Sequence, residues 1–270
     1  MFSMSIFSEP TFAVITGGSQ GLGRSITEAF ATRITSKSVI VITGRNLDGL
    51  KDTARRALQK RKQNGKENDI EIQCISANLS DFMDVRRLGK ECLDGRRSID
   101  FPTALLIHNA GSLGDLSKEV CDFEDPEEVS KYFTVNLAHL PCITGNFLKW
   151  RNVEENNLKT IIINVSSLFA IQPHPCFSLY ASGKAARDML FKVLAKENPA
   201  IRVLNWAPGP LDTEMSETIM KTSNKHNTAE LFIKLKDEGK TLTCEQSNIK
   251  LMEVLAKGEY ESGQHVDYFD

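Results

Sequence analysis

The chain has 270 residues, of which 41% are hydrophobic and 25% charged, and its formal net charge is −2. That length allows one or two domains and a core that hides roughly 70–75% of the unfolded surface. A charge so close to zero excludes a global field that would draw in nucleic acid or an anionic membrane. Six cysteines are scattered without a Cys-x-x-Cys pair. This argues against a zinc site and a disulfide framework, and suits a reducing cytosol. The first seven residues, MFSMSIF, are apolar but lack the basic start of a secretory signal. No apolar run approaches the roughly 18 residues that span a bilayer. A cytoplasmic protein is expected.

Short apolar runs alternate with longer helical patterns. A strand is expected at 11–16 (TFAVIT), then a helix at 22–32, a strand at 39–43 (VIVIT) and a helix at 47–62. Lys60, Arg61 and Lys62 close that helix and are expected to steady its C-terminus. A polar loop at 63–69 leads to a strand at 70–76 (IEIQCIS), a helix at 82–93 and a strand at 104–108 (ALLIH). One long helix is expected at 127–148, with Asp125 as N-cap, Pro126 in the first turn and Glu128 completing a capping box. A strand at 160–165 (TIIINV), a helix at 179–197 and a strand at 201–206 (IRVLNW) follow. The regularity breaks at 207–244, which reads as an insertion over the carboxyl ends of the strands. A helix at 245–256 and a strand at 265–269 complete the chain.

Strands that are apolar almost throughout are those covered by helices on both faces. The β-α alternation with right-handed crossovers therefore predicts an α/β, doubly wound, Rossmann-type fold with a seven-stranded parallel sheet. No repeat or linker divides the chain, so a single domain is expected over 1–270.

The first strand runs directly into Thr16-Gly17-Gly18-Ser19-Gln20-Gly21-Leu22-Gly23. Glycines placed between strand and helix let the backbone approach a pyrophosphate, which the helix N-terminus then attracts. The spacing is G-x-x-x-G-x-G. The second strand ends at Gly44-Arg45-Asn46. An enzyme built for NAD would place an acidic side chain here, whereas Arg45 suits a ribose 2′-phosphate and hence NADPH. Asn109-Ala110-Gly111, after the fourth strand, is placed to contact the adenosine half.

Tyr180 and Lys184 lie four residues apart, and Tyr180 follows Ser167 by thirteen. On a helix Tyr180 and Lys184 share a face. A free phenol has a pKa of about 10, and lowering it by about three units takes about 4 kcal/mol, which one cation at about 4–5 Å can supply. Ser167 can then orient a carbonyl oxygen. Ser166 competes for that role, although the two point to opposite faces of a strand. Taken alone, the pair also fits a half-buried aromatic beside a solvated lysine.

Together these residues resemble the short-chain dehydrogenase/reductase family over nearly the whole chain. The resemblance implies hydride transfer between NADPH and a carbonyl, with Ser167, Tyr180 and Lys184 as the active triad and Asn136 as a further catalytic residue. It extends the cofactor site to Gly17, Ser19, Gln20, Gly21, Leu22, Gly23, Arg45, Asn46, Asn78, Leu79, Asn109, Ala110, Gly111, Pro208, Gly209, Leu211 and Thr213. Gln20 departs from the basic residue many NADPH-using relatives carry, and Asn78 from their usual Asp.

The segments at 109–118, 183–190, 207–213 and 262–267 resemble a branch of the family that reduces side-chain ketones on pterins. That resemblance implies a homodimer formed through the helices at 127–148 and 179–197, and makes Asp267 the anchor of a pterin's amino-pyrimidinone edge. Leu113, Leu168, Phe177, Trp206 and Met215 are candidates for the apolar wall, and each also fits ordinary core packing. The segment at 174–177 differs from that branch. A broad carbonyl or dicarbonyl reductase is the alternative, and a cofactor-sensing protein without activity is a third. His108, His139, His174 and His226 form no metal-ligand spacing, His265 stands apart, and no metal is expected.

Overall fold

The computed structural model describes residues 6–67, 69–152, 158–222 and 226–270. The readings of the N-terminus, the loop at 63–69 and the insertion at 207–244 therefore fall in part outside the described residues.

Seven strands form one parallel sheet: β1 (Thr11–Thr16), β2 (Val39–Gly44), β3 (Glu71–Ser76), β4 (Thr103–His108), β5 (Lys159–Val165), β6 (Arg202–Ala207) and β7 (His265–Asp267), in the order β3-β2-β1-β4-β5-β6-β7. The helices are α1 (Gly21–Arg33), α2 (Leu47–Gln63), α3 (Phe82–Glu91), α4 (Pro126–Phe133), α5 (His139–Arg151), α6 (Ser178–Glu197), α7 (Glu214–Lys221), α8 (Thr228–Asp237) and α9 (Cys244–Lys257). Alternate residues of each strand feed two cores. Ala13 and Ile15 of β1 join Ile26 and Phe30 of α1, Leu50 of α2 and Leu251 of α9 on one face. Phe12 and Val14 join Leu88 of α3, Phe147 of α5 and Phe191 of α6 on the other. The doubly wound α/β fold expected from the strand patterns is the one observed.

The expected long helix at 127–148 is broken. α4 ends at Phe133, one π-helical turn spans Thr134–Ala138, and α5 resumes at His139. The 8 residues of α4 are too few to fix an apolar phase against which such a widened turn would show. Asp125 caps α4 through the Glu127 amide at 2.8 Å with Pro126 in the first turn, but Glu128 takes the Lys118 ammonium at 2.6 Å instead of completing a capping box. Arg61 also does more than steady its own helix. It is buried and donates to the carbonyls of Ala31 and Ile34 at 2.8 Å each, while pairing with Asp69 at 2.6 Å. β7 stops at Asp267 rather than 269, because the chain turns there and Phe269 is left exposed. Within 207–244, α7 and α8 lie over the strand ends, and Leu211 bridges to Leu242. Among the described residues no helix is long and apolar enough to cross a membrane, and the six cysteines are free thiols.

Two histidines are buried where α5 meets β4. His108 Nε2 lies 2.8 Å from Thr144 Oγ1, and the His108 and His139 rings are 6.3 Å apart. Burial, and then the nearby Arg187 charge, pulls His139 down to about 3 from its ordinary 6.5. Burial likewise holds His108 well below that value. Below pH 6.5 the unfolded chain takes up protons that the folded state refuses, so stability is present above that pH and is lost as pH falls toward 3. The slope is roughly 1.4 kcal/mol per pH unit for each ring. Thermal melts from pH 7.5 to 4.5 are expected to show this loss, and His139→Leu is expected to flatten part of it.

Candidate active site

The first βα turn forms one wall of a groove along the carboxyl ends of the strands. Gly17 sits at φ +71°, a conformation costly to residues with a side chain, and a Cβ on Gly23 would lie 2.1 Å from the Gly17 carbonyl oxygen. Asn109 Nδ2 donates to the carbonyls of Thr16 at 3.0 Å and Gly17 at 3.2 Å, and Thr16 Oγ1 accepts from the amides of Asn109 and Ala110. Asn109 is thus a brace for the glycine loop as well as part of the groove. The α1 N-cap, Gln20, makes no side-chain cap, so the first amides of α1 face the groove without one. Gln20 Nε2 instead donates to Glu214 Oε2 at 2.7 Å, tying the glycine loop to α7.

Gly17, Ser19, Gln20, Gly21, Leu22, Arg45, Asn46, Asn78, Leu79, Asn109, Ala110, Gly111, Tyr180, Lys184, Pro208, Leu211 and Thr213 all line this groove of about 590 Å³. Two expected cofactor residues do not. Gly23 packs beneath Gly17, and Gly209 lines the neighbouring pocket. Ser112 and Glu214 line the groove without having been foreseen, since neither belongs to a recognisable spacing. A narrow loop that only glycine fits, an uncapped helix N-terminus and Arg45 at the far end suit a dinucleotide with a charged phosphate.

Tyr180 is 9% exposed and borders both the groove and a second pocket. Ser167 lines that pocket, hydrogen-bonds Tyr180 and accepts from the Phe169 amide at 3.2 Å. The buried Ser166 hydroxyl has no protein partner among the described residues. The geometry therefore favours Ser167 over Ser166.

Lys184 is arranged differently from the expectation. Its Nζ donates to the Val165 carbonyl at 2.7 Å and lies 5.6 Å from the Tyr180 ring centroid. Burial pulls Lys184 well below its ordinary range. Burial raises Tyr180 above 10, against the lowering effects of Ser167 and Arg187. Burial is the largest influence on both groups and moves each toward its uncharged form. Asn136, in the π turn, is buried. Its Oδ1 accepts from the Ser112 amide at 2.7 Å, and its Nδ2 donates to Ser112 Oγ and the Tyr132 carbonyl.

The second pocket, about 720 Å³, lies between Tyr180 and the pair α7–α8. Leu113, Leu168, Phe177, Met215 and Asp267 line it as expected. Trp206 does not. It is fully buried in the core with Leu204 and Leu251, because its position on β6 points away from the pocket. Phe169 and Phe232 flank Phe177 at ring separations of 4.7 and 6.3 Å. They were not foreseen; Phe169 lies close to Phe177 in the chain, whereas Phe232 arrives from α8. The unusual segment at 174–177 acts here: Cys176 adopts φ +63° and delivers Phe177 into the wall. Asp267 Oδ1 accepts the Phe269 amide at 3.1 Å, which leaves lone pairs on the carboxylate for a ligand.

Elsewhere, Glu119, Cys121 and Asp122 bring ligand atoms within 4.8 Å of one another, with both carboxylates capping their own short 3₁₀ helix.

A doubly wound sheet with this glycine loop, groove and Ser-Tyr-Lys cluster defines a nicotinamide-dependent oxidoreductase acting at carbonyl groups. Residues 11–224 match the short chain dehydrogenase family model, and the chain belongs to that family. It is 36% identical to sepiapterin reductase of Bos taurus over 261 residues, covering 96% of this chain and 95% of that one. It is 35% identical to sepiapterin reductase of Xenopus tropicalis, at 95% coverage of each. Benzil reductase ((S)-benzoin forming) of Bacillus cereus is 28% identical, covering 94% and 97%. The crystal structure of levodione reductase matches the fold with a TM-score of 0.77 at 21% identity, covering 97% of this chain and 96% of that one.

Replacing Gly23 by Ala is expected to force the Gly17 backbone out of position. Fluorescence titration should then show nicotinamide dinucleotide affinity falling by at least about tenfold, the cost of losing the close backbone approach, with far-UV circular dichroism unchanged.

Proposed function

We propose that this protein is an NADPH-dependent reductase of ketones on pterin side chains. It would convert sepiapterin to dihydrobiopterin and 6-pyruvoyl-tetrahydropterin to tetrahydrobiopterin. The observation that carries this reading is the pocket between Ser167–Tyr180 and Asp267, in a chain that is 36% identical to a sepiapterin reductase over nearly its full length. A carboxylate can accept two adjacent N–H groups from the amino-pyrimidinone edge, much as it accepts an arginine fork. The ring would then be fixed with its side-chain ketone toward Tyr180.

The cofactor, when bound, supplies a hydride to the ketone carbon. Ser167 donates a hydrogen bond to the carbonyl oxygen as negative charge develops, and Tyr180 transfers its phenolic proton to that oxygen, giving the alcohol. A phenol that burial keeps protonated near neutrality is ready to serve as this donor. Lys184 holds the nicotinamide ribose, and Asn136 supports the proton path that restores Tyr180. Arg45 meets the 2′-phosphate without help from Gln20, which is engaged by Glu214. We place the enzyme in the cytoplasm as a homodimer. Exposed Met189 and Val193 on α6 support that helix as the interface.

The pocket wall is largely apolar, with stacked Phe177 and Phe232. This feature favours a second reading, a broad dicarbonyl reductase, in keeping with the likeness to benzil reductase.

Substituting Asp267→Asn distinguishes the two. Sepiapterin KM is expected to rise by about tenfold or more, the range of losing a charge-assisted hydrogen bond, while turnover of a small diketone is preserved. Equal loss for both substrates, or none for either, would count against the anchor. Arg45→Ala is expected to weaken NADPH binding about tenfold and leave NADH unaffected. Equal weakening of both cofactors would remove the 2′-phosphate role.

A further inference from the structure

His265 and Asp188 make a buried contact that no step of the proposed chemistry uses. It joins β7, which carries Asp267, to α6, which carries Tyr180. His265 Nδ1 lies 2.6 Å from Asp188 Oδ2, and the two side chains are only 9% and 4% exposed. The other oxygen of Asp188 accepts from Asn164 Nδ2 at 3.0 Å. A carboxylate only accepts, so the imidazole donates through Nδ1. The buried Nε2 has no hydrogen-bond partner among the described residues. Burying a carboxylate and an imidazole together carries a desolvation penalty that a well-packed apolar pair avoids. Stability is therefore a poor account of this contact. What it adds over an apolar pair is a bond of fixed length and direction between helix and strand.

Both elements lead to the pocket. On α6, Tyr180, Lys184 and Asp188 recur at intervals of four and share one face. β7 is an edge strand of three residues, paired only with β6, and Asp267 is its last residue. His265 and Asp267 are two residues apart and lean to the same face of that strand. Val266 between them points into the core with Trp206. The amides of Asn205 and Tyr268 donate to the carbonyls of Gln264 and Ala207 and hold one edge of the strand. A strand this short, with one neighbour, has few backbone bonds to set its tilt. We propose that His265 is a positioning residue for the substrate. Its bond to Asp188 sets the tilt of β7 against α6 and so fixes the span from the Asp267 carboxylate to the Tyr180 hydroxyl, both of which line the pocket. That span suits a ring held at one end and reduced at the other. A misplacement of about 1 Å between such groups can cost about 10²-fold in rate. A carbonyl compound that lacks the amino-pyrimidinone edge makes no use of Asp267 and does not sense the span.

The inference rests on the pterin reading, and its test compares sepiapterin with butane-2,3-dione in the intact protein. His265→Leu keeps the bulk and removes the donor. It is expected to lower kcat/KM for sepiapterin by on the order of tenfold and to leave that for the dione within about twofold. NADPH affinity, followed by fluorescence, should not change. His265→Asn places an amide N–H near the position of Nδ1 and is expected to restore most of the loss, which a role in packing alone would not predict. In the Asp267→Asn background, His265→Leu should add no further loss, because the two residues act through one anchor. Amide hydrogen exchange at 266–269 is expected to quicken in His265→Leu and to recover in His265→Asn. Parallel loss for both substrates, losses that multiply in the double variant, or quickened exchange with sepiapterin turnover intact would each overturn the proposal and leave the pterin reading standing. Wild-type protein that reduces the dione but not sepiapterin would remove the pterin reading and this proposal with it.

Discussion

Lys184 donates to the Val165 carbonyl, and Arg187 donates to the carbonyls of His108 and Ala110. Through these bonds one helix face is locked to the carboxyl ends of β4 and β5. Parallel strands end with carbonyls that lack ladder partners at the sheet edge, and unsatisfied carbonyls in a buried position are costly. Two basic side chains on α6 meet that need with their N–H groups. The same bonds fix the height and rotation of α6, and with them the position of Tyr180 between groove and pocket. Gly183 belongs to the same arrangement, since a Cβ there would fall 2.9 Å from the Tyr132 hydroxyl. α6 can approach α4 only because that position is bare.

Two cavities of different character meet at Tyr180. The groove is framed by backbone turns, amides and Arg45, whereas the pocket is walled by Phe169, Phe177, Phe232 and the apolar faces of α7 and α8. An ionic dinucleotide and the flat organic ring of the proposed substrate place opposite demands on their surroundings. Keeping the sites adjacent but separate lets one hydroxyl serve the boundary. The Gln20–Glu214 contact and the Leu211–Leu242 bridge tie the pocket's roof to the groove's rim.

The π turn at Thr134–Ala138 serves the same boundary from the other side. Its extra width accompanies the inward turn of Asn136, whose amide holds Ser112 and so secures the loop after β4. A regular helix would turn every later side chain of α5 by about 100° relative to that loop. The break thus lets α5 cover the sheet with Leu140 and Phe147 while Asn136 holds Ser112, which lines the groove.

The sheet order was legible in the chain because apolar strands and helical periods alternate, and right-handed crossovers leave few other topologies. The glycine loop and the Ser167, Tyr180 and Lys184 spacing were legible for a similar reason, since each depends on local backbone geometry. Of the two places left open for Trp206, wall or core, the structure chose the core, because which face of β6 lies under the helices is decided by the assembled sheet. The π turn was missed because α4, at 8 residues, is too short to fix an apolar phase against which the shift would show. Phe169 and Phe232 come from separate elements, and only packing brings them to the cluster that holds Tyr180. By itself, then, the sequence determined the fold class, the glycine loop and the Ser167, Tyr180 and Lys184 spacing. Tertiary structure alone decided which carbonyl holds the lysine and how burial shifts the phenol beside it, because charge in a buried site is governed by desolvation, and desolvation depends on every element that closes over it.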